Sequence, residues 1–225
     1  FHYDTALPRE RMKELLIAFA RNGIRVTTTR RNMLELFDDV NRVAPIRDLR
    51  WVLGHISALT PEEVERAREL GLCMTTHTNR YVYKEGHLLR QRLGAERENE
   101  ISPLRTLTQA GIKVALATDN VPVSMFYPIW QAVSRKSLYT GKPIAPEQKL
   151  SREDALRAAT MSGAWLTFEE NEKGSIEPNK LADLAVLSAD PLTVEEDAIK
   201  DISSEMTVVG GKVVWEKTGA RHSVS

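Results

Sequence analysis

Residues Ile112-Lys113-Val114-Ala115-Leu116-Ala117-Thr118-Asp119-Asn120-Val121-Pro122-Val123 decide how the rest of the chain is read. An apolar run of strand length follows Gly111 and stops at a carboxylate, an amide and a proline turn, which is the pattern of a buried parallel strand. In parallel α/β sheets the chemistry gathers at the carboxyl ends of the strands, so Asp119 stands where a site residue would. A carboxylate ahead of a Val-Pro loop also suits an Asx-turn, and the stretch alone leaves both readings open.

Upstream, the same arrangement recurs. Pro8 opens a helix with Met12, Leu15, Leu16 and Phe19 on one face, and Asn22-Gly23 closes it before the β-branched run Ile24 to Thr29. A second helix carries Leu34, Phe37 and Val40 and gives way to Trp51-Val52-Leu53-Gly54-His55-Ile56. Thr60, Pro61 and Glu63 form a capping-box start for a helix that ends at Gly71, followed by Leu72-Cys73-Met74-Thr75-Thr76-His77. Helix, glycine and apolar strand follow one another at Gly23, Gly71 and Gly111, the alternation of βαβ units in a parallel sheet. Strands are therefore expected near 24–29, 51–56, 72–77 and 112–118. The polar segment Thr78 to Ile101 reads as a long lid or binding loop.

Beyond Pro122, helices are expected over Pro128 to Tyr139 and from Ser151 through Ala164, with Trp130 turned inward. From Gly174 the pattern changes to short strands, 184–187, 206–209 and 212–215, the last two joined by the hairpin signal Gly210-Gly211. The expected division is residues 1–170 as a partial (β/α) barrel, 171–217 as a small β appendage and 218–225 as a disordered tail.

Composition narrows the function. Lys plus Arg (31) equals Asp plus Glu (31), so no global field draws the chain to nucleic acid or an anionic membrane, and a small-molecule partner fits better. The single cysteine, Cys73, excludes a disulfide framework and points to a reducing, cytoplasmic setting. No apolar run approaches the roughly 18 residues that span a bilayer. A homo-oligomer is left open. The strand-end residues His55, His77 and Asp119 would converge in a parallel sheet, and imidazole with carboxylate is a suitable ligand set for zinc or a similar divalent ion.

Four segments carry a resemblance: Val52-Leu53-Gly54-His55, Val114 through Pro122, the helix Ser151-Arg152-Glu153-Asp154-Ala155-Leu156-Arg157-Ala158-Ala159-Thr160, and Lys173-Gly174-Ser175-Ile176-Glu177-Pro178-Asn179-Lys180-Leu181-Ala182-Asp183-Leu184. Together with the ending Thr207 through Val214 they resemble the amidohydrolase superfamily, in its amidohydrolase-3 branch with the N-substituted formamide deformylases. The resemblance implies the C-terminal half of a (β/α)8 TIM-type barrel followed by part of a small β-sandwich. It also implies a metal-dependent hydrolase that uses an activated water on an amide, formamide or related C–N bond. By position His55 matches the metal ligand after the sixth barrel strand, and Asp119 matches the metal-binding, proton-accepting aspartate after the eighth. His77 lies between them, where the family places substrate-facing residues. His77, Asn79, Arg80 and Asn120 are therefore the candidate substrate contacts, although charges such as Arg80 and Lys84 on a loop can also be simply solvated.

Two departures follow. The family's His-x-His of the first strand has no counterpart, so the sequence reads as N-terminally incomplete and inactive by itself. Where a fifth-strand histidine is expected the sequence has Thr27-Thr28-Thr29-Arg30-Arg31, which favours one metal over two. Thr29 also supports the alternative of a non-catalytic, binding or regulatory relative that has lost ligands.

Overall fold

Each of the three glycines that end a helix sits in the left-handed region, at φ +67° (Gly23), +65° (Gly71) and +76° (Gly111), and each is followed within a few residues by a strand of one parallel sheet. At Gly71 the requirement is doubled, because a Cβ there would lie 2.2 Å from the carbonyl oxygen of Arg47. The computed structural model describes residues 7–119 and 123–218. In chain order its first half comprises α1 (Arg9–Arg21), β1 (Thr27–Thr28), α2 (Met33–Asn41), β2 (Val52–Leu53), α3 (Pro61–Glu69), β3 (Cys73–Thr76), α4 (Gly86–Leu93), α5 (Leu104–Gln109) and β4 (Val114–Leu116). The second half adds α6 (Phe126–Ser134), α7 (Arg152–Ala159), α8 (Met161–Leu166), β5 (Leu184–Leu187), β6 (Ser204–Val209) and β7 (Lys212–Glu216).

Strands β1 to β4 lie side by side in sequence order, all parallel, in the register Thr27↔Val52, Val52↔Cys73 and Met74↔Val114. All four expected strands are present but shorter than their apolar runs, because the flanking residues leave the ladder for the turns. Trp51, fully buried, packs edge-on against Phe37 at 4.9 Å, and its indole N–H donates to Ile24 O at 3.0 Å, joining β2 to the entry of β1. The reciprocal capping box of α3 forms as read: Glu63 N donates to Thr60 Oγ1 (3.3 Å) and Thr60 N to Glu63 Oε2 (2.8 Å).

The expectation of a lid over Thr78 to Ile101 is corrected. The segment is a π-helical turn (Asn79–Lys84), then α4, then a 3₁₀ turn (Ala95–Glu100). Val82, Ile101, Ile144 and Ala145 make a small second core beneath it, supported by Leu89 and Leu93. Its charges pair locally, Arg90 with Glu98 (3.2 Å) and Arg97 with Glu100 (2.7 Å), so a polar composition hid a folded wall.

Two further readings shift. Helix α6 starts before Pro128 and ends at Arg135, which is left-handed at φ 54°. The helix from Ser151 breaks at Thr160, and Ala164 belongs to the separate α8. Trp165 on α8 is half-buried, with the Arg50 guanidinium 4.2 Å above its ring. Strands β5, β6 and β7 form a separate antiparallel sheet, joined at Gly210 and Gly211, both at positive φ as a tight hairpin requires. The start of the expected tail, Thr218, is described, and residues 219–225 lie outside the described residues. No helix among the described residues is long and apolar enough to cross a membrane.

Candidate functional site

The parallel register brings the ends of β2, β3 and β4 to one side of the sheet, and with them His55, His77 and Asp119. His77 follows β3 directly, and its carbonyl accepts from Arg80 N (3.1 Å) and Tyr81 N (3.0 Å), which starts the π-helical turn. Its side chain is buried, and neither Nδ1 nor Nε2 has a hydrogen-bond partner among the described residues. The His55 ring meets it edge-to-face with centroids 4.1 Å apart. On the other side Asp119 Oδ2 is 3.5 Å from His77 Nδ1. Burial depresses the pKa of His77, the neighbouring His55 depresses it further, Asp119 raises it, and Arg80 lowers it again. The balance favours neutral imidazole, the form that can donate a lone pair.

The support behind His55 is a polar relay. Gly54 N donates to Thr28 O (2.6 Å), and a Cβ at Gly54 would stand 3.0 Å from Thr75 Oγ1, so a larger residue here would push on Thr75 where the three strands close up. The carbonyl of Ile56, next to His55, accepts from Thr76 Oγ1 (2.9 Å) and Ser102 Oγ (3.2 Å). Ser102 in turn is held by Arg135, whose Nη1 donates to Ser102 O at 3.1 Å. Arg135 is wholly buried, and it also donates to Ile144 O (2.6 Å) and Ile101 O (2.7 Å).

In front of the imidazole is a cavity of about 230 Å³ lined by His77, Asn79, Arg80, Lys84, Glu85, Thr118 and Asp119. Asn79 is fixed from behind: Gln131 Nε2 on α6 donates to Asn79 Oδ1 (3.2 Å), and Thr78 Oγ1 donates to Gln131 Oε1 (2.9 Å). Arg80 leans on the Tyr81 ring and pairs with Glu85 at 3.1 Å. Glu85 was not among the residues expected from sequence. It meets Arg80 because a π-turn places residues five apart together, with Glu85 N donating to Arg80 O at 2.8 Å, whereas α-helical periodicity points elsewhere. Of the expected substrate contacts His77, Asn79 and Arg80 line the cavity, and Asn120 lies outside the described residues. Thr29 is exposed at the end of β1, and Arg31 is taken up by Glu63 (2.6 and 2.5 Å).

The donor set has the chemistry for a divalent ion: two imidazoles, one of them buried with orphaned nitrogens, and a carboxylate. Its number is short of a full shell, because among the described residues no group of three His, Cys, Asp or Glu converges on one metal position.

Residues 11–215 match the profile of the amidohydrolase family. The chain belongs to that family, in its amidohydrolase-3 branch. Among curated relatives, this amidohydrolase chain is 29% identical over 172 residues to the N-substituted formamide deformylase of Arthrobacter pascens, covering 75% of this chain and 31% of that protein. It is 28% identical to the putative amidohydrolase YtcJ of Bacillus subtilis, covering 74% of this chain and 32% of that protein. The chain thus spans about a third of these relatives. Among solved structures, an uncharacterised metal-dependent hydrolase from Pyrococcus horikoshii superposes with a TM-score of 0.69 at 21% identity, over 85% of this chain and 39% of that one. At that identity the likeness concerns the fold.

Proposed function

We propose that this amidohydrolase chain carries part of the active site of a metal-dependent hydrolase of amide, formamide or related C–N bonds, with β1 to β4 as four consecutive strands of a (β/α)8 barrel. The strictly sequential strand order supports the barrel, since a doubly wound sheet reverses order at its switch point. The observation that carries the function is the meeting of His55, His77 and Asp119 at the carboxyl ends of adjacent parallel strands, in a chain of this family.

When bound at such a site, a divalent ion lowers the pKa of water from about 15.7 to near 7. The protein's own task is then proton handling and orientation. Asp119, its side chain 43% exposed and facing the cavity, receives the proton as water attacks the carbonyl carbon and returns it to the departing nitrogen. Asn79, its Oδ1 held by Gln131, forms part of the cavity wall beside the imidazole, and the charges of Arg80 and Lys84 balance those of Glu85 and Asp119. Asp119→Asn keeps size and turn-forming ability and removes the base. In the intact, metal-loaded enzyme, hydrolysis of N-substituted formamides and small amides should fall by about 10²–10⁴-fold, with circular dichroism unchanged. Near-normal turnover in the folded variant would take Asp119 out of the mechanism.

A second reading, a non-catalytic relative that binds without turnover, is favoured by the exposed Thr29 at the position where the resemblance expects an imidazole. Binding of a formamide or amide with no turnover, in the intact, metal-loaded protein, would select it.

A further inference from the structure

His77 occupies a strand end where the family resemblance places substrate-facing residues, yet its geometry is unsuited to that task. Its side chain is 7% exposed, and both ring nitrogens are buried without a hydrogen bond among the described residues. Little of the ring is open to a substrate group in the cavity. Leaving such polar atoms unsatisfied costs about 1–3 kcal/mol each, so a site that keeps this arrangement is expected to satisfy them with something small.

The separation between His77 Nδ1 and Asp119 Oδ2, 3.5 Å, narrows the choice. It exceeds the roughly 2.7–3.2 Å of a hydrogen bond between nitrogen and oxygen. A water donating and accepting at about 2.8 Å with tetrahedral geometry would hold the two atoms about 4.6 Å apart. Two donors on one tetrahedral cation, with bonds of about 2.0–2.1 Å, stand about 3.2–3.6 Å apart. Access is available too: the Asp119 carboxylate is 43% exposed, so a bare cation can enter beside it.

We propose that His77 is itself a metal ligand, sharing one divalent cation with Asp119 through Nδ1 and Oδ2, and so restoring in number the imidazole that is absent at Thr29. The inference rests on the metal-dependent reading above and changes its ligand set. The half-buried His55 ring, edge-on to His77, becomes a neighbour that orients the imidazole or adds a donor after a small rotation, while the His77–Asp119 pair anchors the ion.

The experiment uses the 225-residue chain, stripped with EDTA and titrated with Zn²⁺ against a chromophoric chelator, alongside two-bond ¹H–¹⁵N spectra of its five histidines. The expected result is that Nδ1 of His77 moves to a metal-bound shift at one equivalent, and that His77→Gln and Asp119→Ala each weaken zinc binding at least tenfold. If zinc binds, Asp119→Ala and His55→Ala lose it, and the His77 resonances stay unmoved, the proposal is overturned while the metal-dependent reading stands. If the unsubstituted chain takes up no zinc in competition with a weak chelator, the proposal fails, because it makes His77 and Asp119 anchor the ion, while the reading that this chain holds part of a metal site stands. Should His77→Gln misfold, the shift of His77 in the unsubstituted protein decides alone.

Discussion

Replacing Arg135 with methionine should destabilise the protein by about 1–3 kcal/mol, and the reason lies in buried carbonyls rather than in any ion pair. The guanidinium has no solvent exposure and donates to Ile144 O (2.6 Å), Ser102 O (3.1 Å) and Ile101 O (2.7 Å). Methionine keeps the stem's volume and supplies no donor, so Ile144 O and Ile101 O lose their partner while Ser102 O keeps Leu104 N (2.7 Å), a gross cost of about 2–6 kcal/mol. Against this, removing a buried cation recovers several kcal/mol of desolvation. That penalty is visible in the guanidinium itself, whose pKa is driven down by burial, with only the Glu98 carboxylate pushing it back up. Urea unfolding followed by fluorescence of the four tryptophans gives the number directly. Arg135→Lys should be intermediate, because one ammonium cannot replace a rigid fork aimed at three oxygens. A midpoint for Arg135→Met equal to or above that of the unsubstituted protein, at unchanged m, would show that desolvation outweighs the three bonds and refute this accounting. Since Ser102 links Arg135 to the carbonyl beside His55, the same variant should also shift the His55 imidazole resonances.

Gly54→Ala should cost about 1–2 kcal/mol, from a Cβ 3.0 Å from Thr75 Oγ1 and 3.3 Å from Thr28 O, and adding Thr75→Ala should recover part of it; no recovery in that double variant would mean the crowding lies elsewhere. In metal-free protein stability should depend on His77: its folded pKa lies below the usual 6.5, so the unfolded chain takes up the proton first as pH falls. Stability is therefore full above about pH 6.5 and declines as pH drops from there toward the folded value, and a His77→Gln variant with the same slope in that window would count against the assignment. The thiol of Cys73, pushed up to about 11 mainly by burial, should resist an aromatic disulfide reagent in the native state and react at one equivalent in urea; prompt native-state labelling would contradict its burial.

The parallel sheet was legible because its signals are local. A glycine that must adopt positive φ at a helix end, followed by an apolar run, announces a buried strand whatever packs on it, and Gly23, Gly71 and Gly111 each did so. The wall over Thr78 to Ile101 was not legible, because a π-turn has no periodicity that a helical pattern can match, and because Val82, Leu89, Leu93 and Ile101 are too sparse among charges to look like a core. Strand ends could be ordered from sequence, but distances could not. That His77 is buried with bare nitrogens, whereas Arg80 is satisfied by Glu85, follows from side-chain placement alone. Arg135 could not have been found either: a basic residue after an apolar helix reads as solvated, and only the tertiary arrangement of three carbonyls explains it.

The backbone at the two family-matched positions adds one more argument. His55 (φ 57°) and Asp119 (φ 45°) are both left-handed, a conformation that costs a non-glycine residue about 1–2 kcal/mol. Glycine would remove that cost at either place, and nearby turns of this chain do use it, as at Gly111. Both strained residues carry the side chains that meet His77, and His55 is held by hydrogen bonds on its neighbour, Thr76 and Ser102 both donating to Ile56 O. Strain that coincides with side-chain convergence and is braced from behind fits an orienting role better than a turn requirement alone. A turn role makes a different demand: if Asp119 serves only the turn, Asp119→Gly should stabilise the protein by relieving φ and leave zinc affinity unchanged, whereas an orienting role requires it to lose zinc.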